Sequence, residues 1–365
     1  MCRLTASGLE GAAFHVTGLS SDTIEAMLMV SARLGLELIT GDDWIILAGA
    51  RSRLGAFARP WVQPEPVREL ANAIGMAMPA EPSAGWRHAG GVQSLAHAVI
   101  IGVVNVTPDS FSGGGVQLSA EDALREVDAL LAGGATIVDV GGESTRPGAV
   151  PIDAAEELDR VIPVIEAIVA RFPSLPISVD TVRSSTALAA LDVGAVIVND
   201  VTAGRHDPTL LAAVAARGAG VVLSHSRGAL GDLASYRHAE YAGDVTDAVA
   251  RELAVAQAAA TAAGVVPEAI VLDPGFGFAK TPEQNFHLLG QLDAIVALGA
   301  PVLVGPSRKR FLGDATGRPI DDRERATAAV CALAYDRGAR LFRLHDPAAS
   351  RDALAIAAAL HRGVT

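Results

Sequence analysis

Short apolar runs that end in polar or charged residues recur along the chain from residue 98 onward. The first extends from Val99 to Val104 and is followed directly by Asn105. Apolar runs of about four to eight residues are typical of strands in a parallel sheet, which is covered by helices on both faces. The pattern therefore predicts strands at 99–104, 136–140, 177–180, 195–199, 221–223, 269–272, 302–304 and 341–344.

Longer stretches with apolar residues at helical spacing separate the predicted strands. They lie at 120–131, 154–170, 208–216, 244–263, 282–292, 324–335 and 348–360. Eight strand–helix units in about 265 residues match an α/β fold of the (β/α)8 TIM barrel type. An open doubly wound sheet also alternates strands and helices, but it gathers its ligand groups near one switch point. Polar motifs after nearly every strand favour the closed barrel, over residues 98–365.

The first 76 residues predict a small α/β N-terminal extension of unknown role. Strands are predicted at 14–16, 36–39 and 44–47, with helices capped by Ser21-Asp22 and near 67–74. No catalytic constellation stands out in this part. Residues 77–97 contain proline, alanine and glycine and predict a linker and the entry to the barrel.

Composition narrows the class of partner. Hydrophobic residues make up 50% of the chain, which provides for a sizeable core, and the net charge of -12 argues against a broad nucleic-acid surface. No apolar run is long enough to span a bilayer, and the N-terminus lacks the pattern of a signal peptide. The two cysteines, Cys2 and Cys331, suggest no disulfide framework. We therefore expect a cytoplasmic protein with small-molecule substrates and no nucleic-acid or membrane partner.

In a barrel of this type, functional side chains lie at the carboxyl ends of the strands. Strands 2 and 8 flank strand 1, and they supply Thr145, Arg146, Arg343 and His345. Hydroxyl and guanidinium groups beside glycine suit an oxyanion such as phosphate. Asn105 lies between them, and an amide oxygen beside phosphate is a reasonable Mg²⁺ ligand. The alternative is that the arginines pair with surface acids.

Strands 3, 4, 6 and 7 end in a second set, Asp180, Asn199, Asp273 and Lys309. Two carboxylates, an amide and an ammonium together suit a flat heterocycle with an amidine edge. A carboxylate would accept two N–H bonds from that edge, and the lysine would donate to a ring oxygen or nitrogen. The alternative is that the two aspartates cap the helices that follow them. His225 alone is compatible with a structural role or a functional one.

Seven of these strand-end strings, in this order, resemble dihydropteroate synthase, and the resemblance covers roughly residues 98 to 360. The strings are 105–112, 139–148, 178–181, 199–200, 273–278, 307–309 and 343–346. The resemblance implies a transferase of folate biosynthesis. Such an enzyme condenses 6-hydroxymethyl-7,8-dihydropterin diphosphate with 4-aminobenzoate, giving 7,8-dihydropteroate and diphosphate. It also implies a target of sulfonamides and a possible homodimer.

The resemblance also implies a role for each matching residue, with Mg²⁺ as the cofactor held by Asn105. It assigns diphosphate binding to Thr145, Arg146, Arg343 and His345. It assigns pterin binding to Asp180, Asn199, Asp273 and Lys309. It assigns the walls of the aminobenzoate site to Phe111, Pro147, Phe278 and Ser307. Among all of these, Asp180, Lys309 and Arg343 are the expected catalytic residues.

Three positions depart clearly from the family pattern, and Pro306 and Pro347 depart from it mildly. Gly113 stands where the family usually has an acid, and Ser224 and Ser226 stand where it usually has methionines. Two other functions are weighed against the synthase. A pterin-dependent methyltransferase shares the barrel and the pterin-binding residues but has no need of the diphosphate set. A catalytically silent paralogue that binds pterin is supported only by the three departures.

Overall fold

The computed structural model has two compact units, Met1–Ala80 and Glu81–Thr365. It describes residues 2–7, 11–50, 53–54, 57–58, 63–77, 85–106, 120–143 and 152–362. No helix in these ranges is both long enough and apolar enough to cross a membrane.

In its described residues the smaller unit contains a four-stranded antiparallel sheet and the helices α1 and α2. Its elements are β1 (Cys2–Ser7), β2 (Gly11–Thr17), α1 (Ser21–Leu34), β3 (Glu37–Thr40), β4 (Trp44–Ala50), a 3₁₀ turn at Glu65–Val67 and α2 (Arg68–Ala77). The strand order is β1-β2-β4-β3. Helix α1 is capped by Ser20, whose side chain accepts the Thr23 N–H, so the predicted cap at Ser21-Asp22 is one residue late. Strand β1 is an addition to the prediction.

The larger unit begins with a hairpin and continues as the barrel. The hairpin is β5 (Gly85–His88) and β6 (Gly91–Ser94). The barrel strands are β7 (Val99–Asn105), β8 (Ile137–Gly141), β9 (Ile177–Asp180), β10 (Ile197–Asp200), β11 (Gly220–Ser224), β12 (Ile270–Asp273), β13 (Leu303–Val304) and β14 (Leu341–Leu344). Each predicted barrel strand therefore has its counterpart.

Helices follow the barrel strands and cover the outside of the sheet. They are α3 (Ala120–Ala132), α4 (Ala154–Arg171), α5 (Ser184–Asp192), α6 (Leu210–Arg217), α7 (Val245–Ala262), α8 (Pro282–Gly290), α9 (Asp293–Val296), α10 (Arg310–Thr316), α11 (Glu324–Asp336) and α12 (Pro347–Arg362). Short 3₁₀ turns lie at Leu230–Asp232, Pro267–Ala269 and Ile320–Asp322. Outward-facing strand residues such as Val138 and Ile270 pack with helix residues such as Val127 and Leu253 in one large apolar core.

The sheet runs β12-β11-β10-β9-β8-β7-β14-β13 with every neighbouring pair parallel. A parallel bridge between Leu272 and Val302 joins its two ends. The predicted (β/α)8 barrel is confirmed. Because all eight strands run the same way, their carboxyl ends meet at one rim.

Trp86 of the hairpin closes the opposite end of the barrel. Its side chain is fully buried with inward-facing strand residues such as Val99 and Ile197. The indole N–H donates to the Ala269 carbonyl oxygen at 3.0 Å, directly before β12 begins. Residues 85–94, which the sequence predicts as linker, are thus a floor for the barrel. Strands β5 and β6 have four residues each, and each begins with glycine, so their apolar pattern is too short to predict them from the sequence.

Replacing the floor residue, Trp86→Ala, is expected to destabilise the protein by about 3–5 kcal/mol, since it empties a large buried volume and removes the indole hydrogen bond to Ala269. Urea unfolding measures this. Val92→Ala on the same hairpin is the control, because Val92 is 70% exposed and should change stability by less than ~0.5 kcal/mol. Equal effects of the two substitutions would contradict the role of Trp86.

Candidate active site

Most predicted site residues lie in the described part of the larger unit, at the rim formed by the carboxyl ends of the strands or in the loops that follow them. They are Asn105, Asp180, Asn199, Asp273, Phe278, Ser307, Lys309, Arg343 and His345. The remaining predicted site residues lie outside the described residues, as does Gly113. These are Phe111, Thr145, Arg146 and Pro147.

Arg343 on β14 is the centre of a charged cluster. Its Nε donates to Asp139 Oδ2 at 2.6 Å, and one of its terminal nitrogens donates to Asp180 Oδ2 at 2.7 Å. The Asp139 and Asp180 side chains are 1% and 15% exposed, so the alternative of pairing with surface acids is wrong for Arg343. The guanidinium links both predicted sets, because it contacts a carboxylate that the resemblance assigns to the pterin.

Asp139 is a site residue that the sequence pattern does not single out. It is the third residue of β8, in a strand that is otherwise apolar or glycine. Its Oδ2 also accepts the Asn199 amide at 3.2 Å, so one oxygen ties Arg343 to Asn199. Its Oδ1 is buried without a hydrogen-bond partner among the described residues. A charged residue inside a buried parallel strand is the signal that identifies it.

Burial raises the pKa of Asp180 to about 7, and the neighbouring Asp139 adds to the rise while the charge of Arg343 opposes it. Burial also works against the charge of Arg343, but the Asp139 and Asp180 carboxylates outweigh it and raise the pKa of Arg343. Arg343 is therefore always charged, whereas Asp180 changes its protonation near neutral pH. This carboxyl group can accept a hydrogen bond above that pH and donate one below it.

Neither aspartate of the second set caps a helix, so that alternative is wrong. Helix α5 follows β9, and its Ser184 N–H is bonded by Asp207 rather than by Asp180. Helix α8 follows β12, and its capping box is made by Thr281. The side chains of Asp180 and Asp273 are therefore not used as helix caps and remain at the rim of the barrel.

Asp273 at the end of β12 is held in place by its own loop. Its Oδ1 accepts the Gly275 N–H at 2.8 Å, and its Oδ2 accepts the Ser224 hydroxyl at 3.3 Å. Burial raises the pKa of Asp273, against these hydrogen bonds and the charge of Lys309. Ser224, at a position where the family usually has methionine, here donates directly to a predicted pterin ligand.

Lys309 lies directly before α10, with its Nζ 3.7 Å from the centroid of the Phe278 ring. Burial lowers the pKa of Lys309 to about 8, and the positive charge of Arg343 lowers it further against the pull of Asp273 and Asp180. The Cβ that a side chain at Gly277 would carry falls 2.8 Å from Lys309 Cδ. The glycine therefore lets the loop after β12 approach the lysine stem.

Ser307 and His345 join the loops after β13 and β14. The Ser307 Oγ accepts the His345 backbone N–H at 3.2 Å and lies 3.0 Å from the His345 Nδ1. A residue predicted for the aminobenzoate wall is thus in contact with one predicted for the diphosphate. The two binding regions adjoin on this side of the rim.

Asn105 ends β7 beside Gly141, its partner on β8. Its amide makes no hydrogen bond to the residues that the structure describes. Among those residues there is also no cluster of three or more histidine, cysteine or acidic side chains suited to a metal. A single amide oxygen fits Mg²⁺ only where phosphate oxygens and water supply the other ligands.

The fold and the rim define an α/β-barrel enzyme with charged and amide side chains gathered at the carboxyl ends of its strands. Residues 101–345 match the model of the pterin binding enzyme family. Dihydropteroate synthase of Mycobacterium leprae (strain TN) is 47% identical over 277 residues, which cover 74% of this chain and 96% of the relative. The chain belongs to the pterin-binding enzymes and, among them, to the dihydropteroate synthases.

Two solved structures extend the likeness to three dimensions. Xanthomonas albilineans dihydropteroate synthase with 4-aminobenzoic acid has a TM-score of 0.70 at 43% identity, covering 76% of this chain and 98% of that one. Yersinia pestis dihydropteroate synthase in a sulfonamide drug complex has a TM-score of 0.71 at 35% identity, covering 76% and 99%. Both likenesses span nearly the whole of the solved chains.

Proposed function

We propose that the rim residues divide the dihydropteroate synthase reaction between a pterin-binding half and a diphosphate-binding half. The reaction condenses 6-hydroxymethyl-7,8-dihydropterin diphosphate with 4-aminobenzoate. The cluster of Arg343 with Asp139, Asp180 and Asn199 is the observation that carries the proposal. It joins a cation suited to the leaving group with acceptors suited to the pterin.

The pterin half consists of Asp180, Asn199, Asp273 and Lys309. Asp273 is oriented by Gly275 and Ser224, so its carboxylate presents acceptors in fixed directions to the amidine edge of the ring. Lys309 donates to a ring oxygen or nitrogen. A buried, pre-oriented set of this kind binds a flat heterocycle selectively, because an analogue without matching N–H groups leaves the carboxylates unpaired.

The diphosphate half consists of Arg343 and His345, together with Thr145 and Arg146. As the bond between the pterin methylene carbon and the diphosphate oxygen breaks, negative charge grows on the leaving group. Cationic and hydrogen-bonding residues fixed at that point stabilise the transition state more than the ground state. The electron deficiency left on the methylene carbon is delocalised into the dihydropterin ring.

Asn105 would hold the Mg²⁺ ion. When bound there, the ion would neutralise negative charge on the diphosphate oxygens. The Asn105 amide, which makes no hydrogen bond to the described part of the chain, supports this assignment. The remaining chemistry uses this chain's own residues and needs no covalent protein nucleophile. The bond from the methylene carbon to the diphosphate oxygen breaks first. The amine of 4-aminobenzoate then attacks that carbon, forms the C–N bond and releases its proton to water.

The aminobenzoate would lie against Phe278 and Ser307, with Phe111 and Pro147. The contact between Ser307 and His345 supports this, since it sets that wall beside the leaving group. The likeness to the Xanthomonas albilineans enzyme with 4-aminobenzoic acid and to the Yersinia pestis enzyme in a sulfonamide drug complex supports a site for both ligands.

We expect sulfonamides to raise the KM for 4-aminobenzoate and to leave kcat unchanged.

Purified protein with the pterin diphosphate, Mg²⁺ and 4-aminobenzoate is expected to form dihydropteroate and release one diphosphate for each product molecule. Mass spectrometry of the product and a phosphate assay after pyrophosphatase treatment measure both. The Lys309→Ala variant is the matched control for the site. Pterin binding without product would favour the silent paralogue, and transfer of a methyl group to a corrinoid protein would favour the methyltransferase.

The activity is expected to decline at alkaline pH as Lys309 loses its proton. With a pKa of about 8, Lys309 is charged below that pH and neutral above it, so kcat/KM for the pterin diphosphate should fall above about pH 8. In Lys309→Arg the charge is retained, and the alkaline limb should move upward. Any other group that titrates in this pH range does so in both enzymes. The difference between the two pH profiles therefore reports the titration of Lys309 alone. Identical profiles would remove Lys309 from the pterin site.

We also propose that the protein is a homodimer in the cytoplasm. We further propose that the chain has a separate small N-terminal domain up to about residue 76. Residues 77–97 then form the entry to the barrel, which occupies 98–365. The division between Met1–Ala80 and Glu81–Thr365 supports the separation of the small domain. Sedimentation of the full chain measures its state of association.

A further inference from the structure

Lys280 lies in the loop after β12 and has no part in the roles described above. Its side chain is fully buried. The Nζ lies 3.0 Å from His225 Nδ1, 3.1 Å from the Gly275 carbonyl oxygen and 3.2 Å from the Phe278 carbonyl oxygen. An ammonium has three protons, so these three acceptors use all of its donors.

His225 continues the contact outward. Its Nε2 lies 3.0 Å from Glu252 Oε2. Burial lowers the pKa of His225 to about 4, with the charge of Lys280 as the next cause, so the ring is neutral at physiological pH. The bonding pattern therefore assigns the ring proton to Nε2, which donates to Glu252, and leaves Nδ1 to accept from Lys280. Burial lowers the pKa of Lys280 to about 7, and the negative charges of Asp273 and Glu252 oppose that fall and favour the ammonium form.

The two carbonyls that Lys280 binds lie at the two ends of the segment 275–278. The same Gly275 donates its N–H to Asp273, and the same Phe278 carries the ring beneath the Lys309 Nζ. The backbone of this segment also lies very close to the residue after β11, since a Cβ at Gly275 would fall 1.8 Å from the His225 carbonyl oxygen. Gly275 and Gly277 both have positive φ, at 68° and 78°, which a side chain would strain.

We propose that Lys280, backed by His225 and Glu252, is a positioning residue that sets Asp273 for the pterin and Phe278 for the aminobenzoate. The proposal rests on the proposed function of those two residues. The buried Lys280 ammonium thereby orients residues for both substrates, the pterin diphosphate and the aminobenzoate. Loss of its hydrogen bonds frees the two carbonyls and lets the segment 275–278 shift, so both substrates bind less well.

The test is Lys280→Met, which keeps the length and apolar stem and removes the three donors. We expect the KM for the pterin diphosphate to rise about tenfold or more, since a buried charged hydrogen-bond set is lost. The KM for 4-aminobenzoate should rise in parallel. Calorimetric binding of the pterin diphosphate in the absence of aminobenzoate should weaken by the same factor, which separates positioning from effects on turnover.

Ile168→Ala is the control for a loss of stability without a loss of positioning, because Ile168 is buried in the last turn of α4, on a different helix from Glu252. It should lower the midpoint of thermal unfolding and leave both KM values unchanged. If Lys280→Met does not fold, Glu252→Ala serves instead, since the Glu252 side chain is 43% exposed. We expect about a threefold rise in both KM values from the weakened support of His225.

A folded variant with wild-type KM values and wild-type pterin binding would overturn the proposal for Lys280. That outcome is distinct from failure of the proposed function. If the wild-type protein neither binds the pterin diphosphate nor forms dihydropteroate, the function assigned to the rim is wrong. If the wild-type protein does both and the variant matches it, only the role of Lys280 is wrong.

Discussion

Arg343→Ala is expected to raise the KM for the pterin diphosphate about 10- to 100-fold, because the leaving group loses a charged hydrogen-bond partner worth about 1.5–3 kcal/mol. The same change leaves Asp139 and Asp180 as two buried carboxylates without their cation. We therefore also expect a loss of stability of about 3–5 kcal/mol. Steady-state kinetics and urea unfolding measure the two effects separately.

The pH dependence sharpens this prediction. In the wild-type enzyme kcat/KM is expected to fall at acid pH as Asp180 gains its proton, near pH 7. Arg343 is the charge that opposes the rise in the Asp180 pKa, so its removal should move this acid limb to a pH above about 7. Arg217→Ala is the matched control, since Arg217 pairs with Asp192 on the exposed surface of the barrel. It should leave KM, stability and pH profile unchanged. An Arg343→Ala enzyme with an ordinary KM would place the diphosphate elsewhere.

Asp139→Asn is expected to lower kcat/KM about 30-fold. The substitution keeps the size of the side chain and removes the charge that holds Arg343, a charged hydrogen bond worth about 2 kcal/mol. The Asn199 amide loses the same acceptor or must share it with Arg343. Since both binding halves are disturbed, the KM for the pterin diphosphate and kcat should both change.

The two variants should shift the acid limb in opposite directions. Asp139 is a like charge that raises the pKa of Asp180, so its removal lowers that pKa, whereas removal of Arg343 raises it. Asp192→Asn, on the exposed surface, is the control and should have no effect. Acid limbs that move the same way in both variants would mean that Asp180 is not the group that titrates.

The positions of the strand ends were predictable because the barrel repeats one physical rule eight times. An apolar run must be buried, and the polar residue that follows it marks where the strand reaches the rim. Asp180 and Asp273 satisfy this rule, and each is the last residue of its strand. Arg343 and Asn199 lie one residue earlier, within β14 and β10, and their long or polar side chains still reach the cluster.

Partnerships inside the rim were not predictable from the same rule. Asp139 lies in the middle of β8, where the apolar pattern surrounds and conceals it. Only the closure of the barrel brings it to Arg343, 204 residues away in sequence. Lys280 is similar, because its three acceptors come from its own loop and from His225, the residue directly after β11, and depend on loop geometry. The floor made by Trp86 likewise needs the closed barrel above it.

The central claim is that the pterin diphosphate binds across the rim cluster. A crystal structure of the chain with 4-aminobenzoate and a pterin diphosphate analogue that cannot release its leaving group tests this most directly. We predict the pterin ring within hydrogen-bond distance of Asp180, Asn199, Asp273 and Lys309, and the diphosphate within hydrogen-bond distance of Arg343 and His345. A pterin bound away from the carboxyl ends of the strands, or with its diphosphate remote from Arg343, would contradict the claim.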